Sequence, residues 1–193
     1  EMYIRVTAKA ETTAAADSLI AEMEARVRQR VGRFIYGTDG DTLQDVLVSH
    51  LIGAGQKLAV VQAGIDDALT NMLKSAERGV EVLAFERTYD HPDEIHAAFS
   101  IDQGTPLRDV ASTVAASLTV EHGVDATIVL LADPDVNEGE DRDEVSVVCV
   151  YTPMAIKERV YGFGGRSDLA KAWMTRWSLS SAWRMLKGQA DDQ

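Results

Sequence analysis

Two apolar runs, Thr127 to Ala132 and Val145 to Tyr151, constrain this chain more than any other feature. Runs of six or seven residues without polar alternation suit strands covered on both faces, and they are too short for ordinary helices. A central sheet packed between helices follows. The flanking sequence supplies the rest in βαβ order: a strand at Leu58 to Gln62, a helix at Asp66 to Glu77 stopped by Gly79, and a strand at Val80 to Arg87. Pro106 sits just inside a helix running to His122, Ile156 to Phe163 reads as a further strand, and Leu169 to Leu186 as a long terminal helix. The expected class is α/β, α+β overall, with the sheet domain covered by helices.

Ahead of this lies a change of period. Ile4, Val6, Ala8 and Ala10 alternate with Tyr3, Arg5, Thr7 and Lys9, as in a half-buried strand. Ala16, Ile20, Met23, Val27 and Val31 then fall on one helical face, with Thr12 or Thr13 as the N-cap and Gly32 as the stop. Arg33 to Tyr36 reads as a short strand, which completes a small β-α-β unit. Asp41 and Gln44 suggest a capping box for a helix buried through Leu43, Val46, Leu47 and Leu51. The expected organisation is a β-α-β domain at 1–40, a linking helix at 41–56, the sheet domain at 57–188 and a disordered tail at 189–193. Because the chain opens at Glu1, directly in strand-like sequence, an upstream domain of the same polypeptide is expected.

Charge and cysteine usage limit the partners. Nineteen Lys and Arg against 31 Asp and Glu leave −12 on 193 residues, a field that repels phosphate backbones and anionic lipid heads, so neither nucleic acid nor a membrane surface is expected. No apolar run approaches the ~18 residues of a spanning helix, and no signal pattern opens the chain. A cytoplasmic location is expected. The single cysteine, Cys149, allows no internal disulfide and reads as a small buried hydrophobe.

The run Ile4-Arg5-Val6-Thr7-Ala8-Lys9-Ala10, together with Phe34-Ile35-Tyr36-Gly37-Thr38-Asp39-Gly40-Asp41-Thr42-Leu43, resembles the middle of bacterial CinA proteins, where an "IRLTAKA" strand and a "(V/I)(F/Y)G-x-D-D-x-T-L" turn form a KH-like domain. Everything after Lys57 then resembles the CinA C-terminal domain, whose active members are nicotinamide-nucleotide amidases. The departures fall on the chemistry. Where the family has "A-E-S-C-T-G-G", whose Ser is the nucleophile, this chain reads Val61-Gln62-Ala63-Gly64-Ile65-Asp66-Asp67. A methyl group cannot attack an amide, and two carboxylates at a helix N-terminus repel a phosphate. The family's "A-Y-S-N-x-x-K" becomes Ala84-Phe85-Glu86-Arg87-Thr88-Tyr89-Asp90, without the Tyr hydroxyl or the Lys ammonium. Its "T-G-I-A-G-P-D-G-G" loop survives only as Ala132-Asp133-Pro134-Asp135, and its "F-x-G-D-R" as Phe163-Gly164-Gly165-Arg166-Ser167. No catalytic residue carries over.

Other constellations have ordinary readings. Asp133, Asp135, Asn137, Gly139, Asp141 and Glu144 approach the spacing of a calcium loop, but the glycine is one position late and the flanks are strands, so a solvated acidic loop is expected and no metal site. Gly162, Gly164, Gly165, Arg166 and Ser167 match neither the P-loop nor the dinucleotide pattern and read as a strand-to-helix turn. His50, His91, His96 and His122 are scattered and are expected in solvated or hydrogen-bonded roles. Ser178, Ser180 and Ser181 lack a nearby base and read as small packing residues.

Two functions remain open. One is a non-catalytic, pseudo-amidase module serving dimerisation or support of an upstream nucleotide-processing domain, and the residues favour it. The other is a nicotinamide-nucleotide amidase or related hydrolase using other groups. The old cleft would in either case be lined by Gly64, Asp66, Asp67, Glu86, Arg87, Gly164, Gly165 and Arg166, with no cofactor expected. Trp173, Trp177 and Trp183 cannot all be hidden by one sheet, since Trp183 points away from the other two, and the resembled family assembles as homodimers. A homodimer using the terminal helix or the Tyr161 to Arg166 turn is expected.

Overall fold

The computed structural model describes residues 2–136 and 144–188. The chain divides into two compact units, Glu1–Gly40 and Asp41–Gln193. In the first, α1 spans Thr13–Val31; the Thr12 hydroxyl accepts the Ala15 N–H at 3.2 Å, and Gly32 ends the helix. Both limits are those the sequence predicts. The flanking strands are not formed. Residues 2–10 have no strand pairing, and Gly32–Phe34 is a 3-10 turn. Alternation marks a segment able to sit at a half-buried sheet surface, but a strand exists only when a neighbour takes its N–H and C=O groups. Within this unit neither segment has that neighbour, and no residue of α1 is buried.

The second unit carries the sheet, and here the mixed α/β expectation holds. Its elements are α2 (Leu43–Ala54), β1 (Leu58–Ala63), α3 (Ala68–Ser75), β2 (Leu83–Tyr89), α4 (Asp93–Ala98), α5 (Leu107–His122), β3 (Ala126–Ala132), β4 (Ser146–Thr152), β5 (Ala155–Tyr161) and α6 (Asp168–Leu186). The strand order is β2-β1-β3-β4-β5; the first three are parallel, and β4 and β5 join antiparallel. Every residue of β1 and β3 is buried, which is why these strands read as continuous apolar runs.

One face of the sheet, through Ala59, Val61, Ala63, Val129, Leu131, Val147 and Cys149, packs on Val110, Val114 and Leu118 of α5. The alternate residues point to the other face, where α6 lies against β3 and β4 and touches α2 and α3. α2 belongs to this unit, with Leu43, Leu47, Val48 and Leu51 buried. Its cap is Thr42, whose hydroxyl accepts the Asp45 N–H at 3.3 Å, and not Asp41. A hydroxyl one position nearer the first turn reaches the orphan N–H that the Asp41 carboxylate does not. The segment Gly79–Val82, expected as the start of a strand, is a 3-10 turn. α4 was not legible in the sequence, being six residues long and without a repeating apolar face. Among the described residues no helix is long and apolar enough to cross a membrane.

Candidate functional site

The parallel strands place one set of loops together. The chain passes from β1 to β2 on one side and returns to β3 on the other, so the loops after β1 and β3 open in opposite directions at the carboxyl edge of the sheet. That is where open α/β sheets bind ligands. β5 runs parallel to β3, and the turn after Tyr161 therefore reaches the same edge.

Here the crevice is closed by backbone. Gly64, at φ 70°, lies so near β3 that a Cβ would stand 1.8 Å from the Ala132 carbonyl oxygen. A Cβ on Gly165 would lie 2.1 Å from the Gly64 carbonyl oxygen, and the Gly165 N–H donates to Asp133 O at 3.3 Å. The glycines singled out in the sequence thus meet each other. They hold loops shut against one another instead of leaving N–H groups free for a phosphate.

Side chains around this seam are paired among themselves. Asp66 lies in the left-handed region at φ 51°, and its carboxylate meets the Lys171 ammonium of α6 at 2.6 Å. Asp67 accepts the Thr88 hydroxyl at 2.5 Å. Thr88 in turn accepts the Gln62 amide at 3.1 Å; the same amide donates to Thr70 at 2.8 Å, and the Gln62 carbonyl accepts the Leu69 N–H at 3.0 Å. Gln62 is fully buried in mid-strand and holds the first turn of α3. Sequence reasoning missed its role, although a lone amide inside the run Leu58 to Ala63 was the available signal. Gln62→Leu strips Thr70, Thr88 and the Leu69 N–H of a buried partner, and we expect a loss of about 2–4 kcal/mol in urea unfolding. An unchanged midpoint would show that the network contributes nothing.

Arg166 approaches Asp135 at 3.7 Å and stays largely exposed. Glu86 and Arg87 do not join the cluster. Glu86 shares the face of Thr88 but lies two residues further from the carboxyl edge, where it pairs with Lys74 of α3 at 2.6 Å. Ala63 is fully buried against the α5 side of the core, and Phe85 is stacked on His122 with centroids 4.5 Å apart.

The fold adds one residue that sequence spacing did not connect to this edge. His91 follows β2, and its Nε2 lies 3.7 Å from an Asp133 oxygen. With Asp135 these residues offer three ligand atoms within 4.8 Å of one another. Nδ1 accepts the Asp93 N–H at 3.2 Å, which leaves Nε2 as the ring nitrogen that faces Asp133. Residues 137–143 of the acidic loop lie outside the described residues. His96 is buried, its Nδ1 2.8 Å from the Asp102 carbonyl.

The profile of the family described as "Damage-inducible protein CinA KH domain" matches residues 1–37. A CinA-like protein of Desulfovibrio desulfuricans is 27% identical over 199 residues, covering 97% of this chain and 46% of that protein. A CinA-like protein of Thermomicrobium roseum is 25% identical over 161 residues, 83% of this chain and 38% of its own length. The chain is similar to CinA-like proteins along nearly its whole length, and its first 37 residues match the CinA KH family. It spans less than half the length of those relatives. The fold is similar to that of solved structures: a competence-damaged protein (CinA) superfamily protein from Escherichia coli superposes with a TM-score of 0.60 at 17% identity, over 82% of this chain and 98% of that one.

Proposed function

We propose that the second unit of this CinA-like chain is a non-catalytic module that supports an upstream domain of the same polypeptide and holds two copies together. The observation that carries this reading is the condition of the carboxyl edge of β1. Ala63, the position of the family's serine, offers a buried methyl group, and the neighbouring crevice is filled by the contact of Gly64 with Gly165. Acyl transfer needs a nucleophile, a base and space for the substrate carbonyl; position 63 supplies only a methyl group, and backbone takes the space beside it. The electrostatics agree. Asp66, Asp67, Asp133 and Asp135 outnumber Lys171 and Arg166 around the seam, so a nucleotide phosphate meets a repulsive edge.

The expected result is that incubation with nicotinamide mononucleotide releases no more ammonia than a heat-killed control. Restoring the hydroxyl alone by Ala63→Ser leaves this unchanged, because the position stays buried against the α5 side of the core. Ammonia well above the control in the unaltered chain would establish the amidase reading in its place. Among the three tryptophans, Trp183 is buried and Trp177 lies beneath the Arg159 guanidinium at 5.9 Å, which leaves Trp173, 58% exposed, beside Leu169 one turn away. This pair is small against the ~800 Å² per partner that a stable complex buries. It contributes to association without accounting for it.

A further inference from the structure

We infer that His91, Asp133 and Asp135 form a site for one divalent first-row transition-metal cation, which ties the loop after β2 to the loop after β3. Topology supplies the juxtaposition. β2 and β3 both run parallel to β1, one on each side of it, so the segments that follow them leave the sheet at the same edge. His91 stands just beyond β2, and Asp133 directly follows β3. Both backbones are pinned there: the Asp133 N–H donates to the Val145 carbonyl at 3.0 Å, and the His91 N–H donates to the Glu94 carboxylate at 3.1 Å. His91 and Asp133 are partly buried and Asp135 is exposed, and each of the three offers one ligand atom to the group.

The separation of 3.7 Å between His91 Nε2 and Asp133 Oδ1 carries the argument. A direct hydrogen bond closes to about 2.9 Å. Two donors held at about 2.1 Å from one cation stand about 3.4 Å apart at a tetrahedral angle and about 4.2 Å apart when opposite, so a set spread over 4.8 Å contracts by well under 1 Å to clasp an ion. Donor chemistry selects which ion. Calcium takes six to eight oxygens and magnesium keeps most of its waters, whereas an imidazole nitrogen with two carboxylates suits a first-row ion such as zinc. Binding at Nε2 places the ring proton on Nδ1, and the Asp93 carboxylate, 3.5 Å from Nδ1, then accepts it in place of the contact with the Asp93 N–H. Arg166 opposes the ion, with Nη2 3.7 Å from Asp135 Oδ1, but its side chain is 69% exposed and can turn away into solvent. Of the calcium-like spacing at 133–144 the site uses Asp133 and Asp135; its nitrogen comes from a segment that the spacing does not contain. The proposal does not depend on whether the second unit is catalytic.

The test titrates the 193-residue chain, freed of metal by a chelator, with zinc chloride in isothermal calorimetry at neutral pH, and reads the thermal midpoint with and without zinc. One tight zinc per chain is expected, with a raised midpoint because the ion binds the folded state. His91→Ala, Asp133→Asn and Asp135→Asn are each expected to weaken binding at least tenfold, and Arg166→Ala to tighten it severalfold. Glu86→Gln, at the separate pair with Lys74, leaves it unchanged. A gain of affinity cannot come from misfolding, so Arg166→Ala keeps the test decisive where a ligand variant fails to fold. Absence of zinc uptake overturns the proposal, as does binding that survives the three ligand changes or an Arg166→Ala chain that binds no more tightly. Calcium bound as tightly as zinc overturns it too, and so does a loss in the two aspartate variants without one in His91→Ala, since either result reduces the site to attraction by an acidic surface.

Discussion

Gly64→Val is expected to abolish folding of the second unit. Gly64 has φ 70°, a conformation that β-branched side chains resist, and its missing Cβ would overlap the Ala132 carbonyl oxygen at 1.8 Å and the Ala132 carbonyl carbon at 3.0 Å. Both obstacles are backbone of β3, fixed by the parallel register that pairs Ala63 with Leu131. Relief requires β1 and β3 to separate at the centre of the sheet. The cost lies in the exceptional class, above about 4 kcal/mol, against a total stability of order 5–15 kcal/mol. The measurement is the urea midpoint, or the loss of soluble protein where no transition remains. Gly55→Ala is the control: it has φ 68° but nothing within 4 Å of its Cβ, so only the conformational cost of about 1 kcal/mol is expected. Equal effects of the two substitutions would show that backbone approach is not what Gly64 serves.

The second large effect concerns Cys149. It is fully buried in the middle of β4, and burial pushes its thiol from 9.0 up to about 12, with the Glu158 carboxylate adding in the same direction. At pH 8 the thiolate fraction of the folded chain is therefore lower than that of an ordinary thiol by a factor of order 10³. Alkylation by iodoacetamide is expected to be slower by at least that factor in native protein than in urea. The same shift has a consequence for stability. The folded state holds the proton more tightly than the unfolded state, so the contribution is complete below pH 9 and is lost as pH rises through 12, by about 4 kcal/mol at most. Cys149→Ser removes this alkaline slope. A native chain that is labelled as fast as the unfolded one at pH 8 would refute the burial argument.

The elements that the sequence announced are those whose signal is local. β3 and β4 are buried on both faces, so nearly every side chain had to be apolar and the runs could be read directly. α1 and its Thr12 cap were legible because a cap is a relation among four neighbouring residues. The strands expected at 2–10 and 33–36 failed for the converse reason. Alternation states what a strand requires of its surroundings, and a pairing partner is not written in the segment itself.

The site divides in the same way. That position 63 is an alanine, that positions 66 and 67 are aspartates and that Gly164 and Gly165 stand side by side are statements about single positions, and the sequence determined them. Which of these residues meet was decided only by the tertiary structure. The order β2-β1-β3 with β5 parallel to β3 brings Gly165 onto Gly64, Lys171 onto Asp66 and His91 beside Asp133, while Glu86, on the face of Thr88 but two residues back along β2, pairs with Lys74. These contacts join segments distant along the chain, and their geometry is set by sheet register. Register follows from how the whole core packs and not from any local pattern.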